Sequence, residues 1–113
     1  MSMIDKATAH FEEVLAQGLM GPIEVPEWDA KIYYKPSTTM FEEAKIIELT
    51  QQGKTTEALV TTLIMRARDE DGKPVFTGAD KQKLMRSVDP KVILRIVTSM
   101  GADADDIDAT LGN

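Results

Sequence analysis

RARDEDGKPVFTGAD, residues 66–80, lies between two helical stretches and decides how the second half of the chain is put together. It is either an acidic loop with a metal or a catalytic carboxylate, or a joint between helices. Asp71-Gly72 is a turn signal, because glycine adopts positive φ at little cost. Lys73 to Phe76 allows one short extended pass and no more. Thr77 stands three residues before Asp80, the pattern of a helix start with an acid in its first turn. A calcium loop of the EF-hand type needs glycine at its sixth position and glutamate at its twelfth. Counted from Asp69 those positions are Pro74 and Asp80, and counted from Asp71 the sixth is Phe76. Neither frame fits. Asp69 and Glu70 follow Arg66 and Arg68, so local ion pairs at a helix end are expected. The stretch reads as a joint.

Helical signals extend outward on both sides. Upstream, Leu59, Val60, Leu63, Ile64 and Ala67 recur at helical spacing from a start near Thr55 or Thr56. Before that, Thr39 and Glu42 have capping-box spacing. Phe41, Ala44 and Ile47 or Glu48 follow as an apolar face, widened by Ile46 and Leu49, and Gly53 stops the helix. Downstream, a helix carries Leu84, Met85 and Val88. Asp89-Pro90 then supplies a cap and a proline at the first helical position. Ile93, Ile96, Val97 and Met100 form one stripe, closed by Gly101.

The first 17 residues read as a helix with Ile4, Ala7, Phe11 and Val14/Leu15 on one side, ended by Gly18 and Gly21-Pro22. Residues 22–35 read as a hairpin. Ile23 and Val25 alternate, Ile32-Tyr33-Tyr34 is short and apolar, and the prolines at 22, 26 and 36 suit element ends or an edge strand. The expected class is α+β, mainly helical: a small helical bundle carrying a short two-stranded hairpin near the N-terminus. Residues 1–100 are expected to form a single domain, with 101–113 a flexible acidic tail. Apolar stripes on every helix are expected to face the bundle. So small a core would gain from a homo-oligomer or a stable partner.

At 113 residues the chain has the length of one domain, with 42% hydrophobic and 28% charged residues, a soluble composition. It has no cysteine, which excludes disulfides and thiolate sites. No run approaches the roughly 18 apolar residues of a membrane span, and the N-terminus lacks the apolar core of a signal peptide. The net charge of −6 is concentrated in Asp103, Asp105, Asp106 and Asp108 of the tail. The rest is nearly balanced, which disfavours a phosphate-binding surface. His10 is the sole histidine, so no pair exists for a zinc site. Gly53-Lys54-Thr55 lacks the glycine cradle of a phosphate loop. No catalytic, cofactor-binding or metal-binding residue is assigned. Trp28, in a proline-bounded turn, and Tyr33 and Tyr34 remain as candidates for a protein contact. Packing of Trp28 over the domain's own helices is the competing reading. Met40, Met65, Met85 and Met100 lie at or near helix faces, where methionine serves either a partner or the core.

Val25-Pro26-Glu27-Trp28, a following strand, a helix with EEAK, and Asp69-Glu70-Asp71-Gly72 with Val75-Phe76-Thr77, Asp80 and Leu84 together resemble the tail assembly chaperones of long-tailed phages, prophages and gene transfer agents. The resemblance spans roughly residues 22–100. It implies a non-enzymatic protein that binds the tape measure protein and keeps it soluble during tail tube assembly. It also implies work in the cytoplasm of the bacterial host and absence from the mature virion. Further partners would be the major tail tube protein and a longer, frameshifted form of the chain, with the shift falling near residues 101–113. Trp28, Asp69, Asp71, Gly72, Phe76 and Asp80 match the family's motif positions; with Tyr33 and Tyr34 they are the expected framework or interface residues. Two alternatives stand beside this: another small phage structural or adaptor protein, and a small helical nucleic-acid-binding regulator.

Overall fold

The computed structural model describes residues 2–100; the acidic tail expected at 101–113 lies outside the described residues. Five helices and a three-stranded sheet follow in the order α1 Met3–Ala16, β1 Met20–Val25, β2 Ala30–Tyr34, α2 Met40–Gln51, α3 Thr55–Arg66, β3 Ala67–Arg68, α4 Lys81–Ser87 and α5 Pro90–Ser99. The class is the expected one, α+β and mainly helical.

α1, α2 and α5 start where a side chain accepts from open backbone N–H groups, whereas α3 starts at Lys54 without such a cap. For α2 the Thr39 hydroxyl accepts from the Glu42 N–H at 3.1 Å and the Glu42 carboxylate accepts from the Thr39 N–H at 2.9 Å, a complete capping box. Thr77 and Asp80 form a second box around the 3-10 turn Gly78–Asp80 that leads into α4. For α5, Asp89 accepts from the Lys91 N–H at 2.9 Å and Pro90 takes the first helical position.

β1 and β2 are antiparallel, with Ile23 opposite Ile32, Glu24 opposite Lys31 and Val25 opposite Ala30. The sheet differs from a plain hairpin in its third strand. At the end of α3 the chain turns extended, and Ala67–Arg68 pairs antiparallel with Tyr33 and Tyr34. Ala67, expected on the helix, is thus a strand residue, fully buried. A marginal two-stranded ribbon gains a third strand covalently continuous with the helix beneath it.

The core lies where the sheet meets α3 and α5. Val25, Ile32 and Tyr34 come from the sheet, Val60 and Leu63 from α3, Leu84 from α4, and Val92, Ile93, Ile96, Val97 and Met100 from the last helix and its end. The stripe expected on α5 is buried in full. Burying one such aliphatic side chain stabilises by about 1.5–3 kcal/mol, so α5 is a principal anchor of the fold.

The other expected stripes behave differently. No residue of α1 or α2 is buried. On α2, which lies against α3, Ile46 and Leu49 are half-buried, whereas Phe41 and Ile47 point outward at 86% and 46% exposure. On α1 only Phe11 and Val14 are half-buried. The expectation that every apolar stripe faces the bundle therefore holds for α3, α4 and α5 and only in part for α1, through Phe11 and Val14, and for α2, through Ile46 and Leu49. Periodicity identifies an apolar face but not what covers it.

Candidate functional site

The motif residues converge on the junction between the sheet and the helices. β1 ends in Pro26–Trp28, a single 3-10 turn, and Asp29 takes φ 49° to reverse the chain into β2. This turn aims Trp28 at the loop after β3, where its ring meets Phe76 edge-to-face at 6.2 Å and 82°. Both rings are half-buried and pack on the core. Beside them Glu27 accepts two hydrogen bonds from the Arg95 guanidinium, at 2.6 and 2.7 Å, tying the hairpin tip to α5. That paired donation, followed by the bond from its own backbone N–H, holds the Glu27 carboxyl at about 2, below its ordinary 4.5. The same contact raises Arg95.

Tyr34 is buried beneath Arg66, whose guanidinium carbon lies 5.3 Å from the ring centre. Arg66 is itself only 4% exposed and donates to the Lys35 carbonyl through Nε at 3.2 Å and Nη2 at 2.8 Å. Instead of standing as a solvated helix-end cation, this arginine satisfies a backbone acceptor where the chain leaves the sheet. Spacing alone gave no sign of that role. Tyr33 is half-buried opposite Arg68, and Arg68 donates to the Ala67 carbonyl at 2.9 Å. Burial pulls the Arg68 pKa down, and the Glu42 charge partly offsets this.

The acidic run resolves into turn chemistry. Asp69 Oδ1 accepts from the backbone N–H groups of Asp71 at 2.9 Å and Lys73 at 3.0 Å. Its backbone N–H donates to the Lys73 carbonyl and its carbonyl accepts from the Gly72 N–H, and Gly72 takes φ 84°. Asp71 and Gly72 sit exposed at the tip. The carboxylate that a metal loop would use first is thus engaged in closing the turn, and among the described residues no group of three potential ligands gathers. Asp80 closes its own box on Thr77. The structure therefore brings Trp28 to Phe76 and Tyr33 and Tyr34 to β3, and leaves Asp69, Asp71, Gly72 and Asp80 as turn and cap residues.

Exposed apolar side chains are found on α1, β1 and α2 as well. Met3, Ile4, Met40 and Phe41 are 79%, 69%, 76% and 86% exposed, and Leu15, Leu19, Met20 and Ile47 are exposed too. Of the methionines noted in the sequence, Met100 is core, Met65 and Met85 are half-buried and Met40 is outside. No helix among the described residues is long and apolar enough to cross a membrane.

A hairpin clamped onto a bundle of short helices makes this a small, mainly helical α+β protein. The structure is similar to that of the bacteriophage HK97 tail assembly chaperone, with a TM-score of 0.55 and 19% identity, covering 83% of this chain and 96% of that one. At that identity the likeness is one of fold. No protein-family profile matches the chain, and no curated protein matches it.

Proposed function

We propose that the protein is a tail assembly chaperone, non-enzymatic, that binds a tape measure protein and keeps it soluble while the tail tube assembles. The observation that carries this reading is the shared fold with the HK97 tail assembly chaperone over nearly the whole of that chain. The motif pieces at residues 25–28 and 69–84 support it independently, since they occupy the joint that defines the fold. Exposed apolar side chains on α1 and α2 supply what a chaperone needs, an apolar face for a helical client. In this reading Trp28, Tyr33, Tyr34, Asp69, Phe76 and Asp80 hold the frame, and Asp71 and Gly72 present the turn tip to partners. The protein acts in the host cytoplasm, outside the mature virion. The major tail tube protein and a longer frameshifted form diverging within 101–113 are further partners, and residues 1–100 act as one domain.

Co-expression tests the proposal. The tape measure protein of the same gene cluster is produced alone, with this chain, and with this chain plus the longer form. A client soluble only in company of the chaperone is the expected result. A client equally insoluble in all three cultures contradicts the proposal.

A further inference from the structure

Among the described residues α1 has little cover: Phe11 and Val14 are half-buried and the rest of the helix is exposed. Its apolar residues recur at Ile4, Ala7, Phe11 and Leu15, one helical face, yet none is buried. An isolated helix of about 12–15 residues is marginal in water, and α1 has 14. Its charge is equally unresolved. Asp5, Glu12 and Glu13 stand against Lys6 alone, and the last turn has no basic residue. Glu12 and Glu13 form no ion pair among the described residues, although they sit towards the negative end of the helix dipole, where cations are favoured. α2 repeats the pattern, with Met40, Phe41 and Ile47 exposed and Glu42, Glu43 and Glu48 against Lys45.

The last two helices have the opposite character. α4 and α5 contain Lys81, Lys83, Arg86, Lys91 and Arg95 and no acid. Their apolar faces, however, are spent on the core through Leu84, Val92, Ile93, Ile96 and Val97. Among the described residues the poorly covered apolar stripes therefore lie on the acidic helices α1 and α2. Two copies meeting stripe to stripe would place like charges together, which is unfavourable.

Resting on the chaperone reading, we infer that the α1 face takes a cationic amphipathic helix of the client. Client apolar side chains lie along Ile4, Phe11 and Leu15, and client lysines or arginines lie beside Glu12 and Glu13. This is helix-on-helix recognition with anchors at three- and four-residue steps, and its charge pairing sets client choice more than raw affinity.

Two synthetic helical peptides with one leucine stripe, one carrying lysine and the other glutamate on the polar face, are titrated into the full-length protein and followed by fluorescence anisotropy. The lysine peptide is expected to bind at least about tenfold more tightly. Glu12→Lys with Glu13→Lys should remove that preference, and Ile4→Ser with Leu15→Ser should abolish binding of both peptides; all four sites are exposed, so circular dichroism should stay native. Equal binding of the two peptides, no binding of either, or insensitivity to the α1 variants overturns the inference. So does a change of mass by light scattering in the variants without a change in peptide binding, because a second copy is then the occupant. Client co-expression separates the two levels. If α1 variants solubilise the client as well as the parent chain does, the α1 inference falls and the chaperone reading stands. If the parent chain fails as well, the chaperone reading falls.

Discussion

Replacing Trp28 and Phe76 by alanine, singly and together, tests whether these two rings hold the joint. They meet edge-to-face at 6.2 Å and 82°, an arrangement that contributes about 0.5–1.5 kcal/mol beyond area burial. Truncating a fully buried aromatic costs about 3–5 kcal/mol. Both rings are half-buried here, so each single variant should lose about 2 kcal/mol, with the same mechanism scaled to exposure. A domain stable by about 5–15 kcal/mol tolerates either loss. The double variant should lose about 1 kcal/mol less than the sum of the two, because the second truncation removes a partner already gone. Urea unfolding followed by far-ultraviolet circular dichroism is the assay, since Trp28 is the sole tryptophan and its fluorescence disappears with it. Losses that add within about 0.3 kcal/mol would refute the reasoning, and so would single variants within about 0.5 kcal/mol of the parent, as surface positions are.

Three further outcomes follow from the same structure. Ile96→Ala, at a position with 0% exposure, should cost about 2–5 kcal/mol, while Leu94→Ala, two residues away and 50% exposed, should cost under about 0.5, both read by urea unfolding. Thr39→Ala should cost about 1 kcal/mol by opening the α2 capping box, with Thr39→Ser retaining most of it in the same assay. Glu27, held at about 2 when folded against 4.5 ordinarily, adds stability that is complete above 4.5 and fades as the pH falls towards 2. Arg95→Gln should flatten the stability profile in that window and return the Glu27 carboxyl towards its ordinary range in a carbon-13 NMR titration; an unchanged Glu27 titration would contradict the pairing.

Local chemistry was legible in the sequence, and long-range pairing was not. The boxes at Thr39 and Thr77 and the Asp89-Pro90 start depend on residues three or fewer apart, so the chain itself spells them out. The α5 stripe was legible because a helix carrying Ile93, Ile96, Val97 and Met100 on one face has few other uses. β3 was invisible, since two residues have no periodicity and their partners Tyr33 and Tyr34 lie a helix hairpin away. The Glu27–Arg95 clamp and the burial of Arg66 over Tyr34 are likewise tertiary facts. Arg66 was expected to meet the acids that follow it, but Asp69 is engaged by the backbone of its own turn. Exposed Phe41 and Ile4 teach a different lesson. A helical stripe announces burial somewhere, and in these two helices the core of the described residues provides it only in part.

The most direct test of the account is the mass of the purified complex between this protein and its tape measure protein, taken by light scattering after size exclusion, with the longer form present and absent. The account predicts a soluble complex holding several copies of this chain on one client. Co-production that yields only free protein, with and without the longer form, would contradict it.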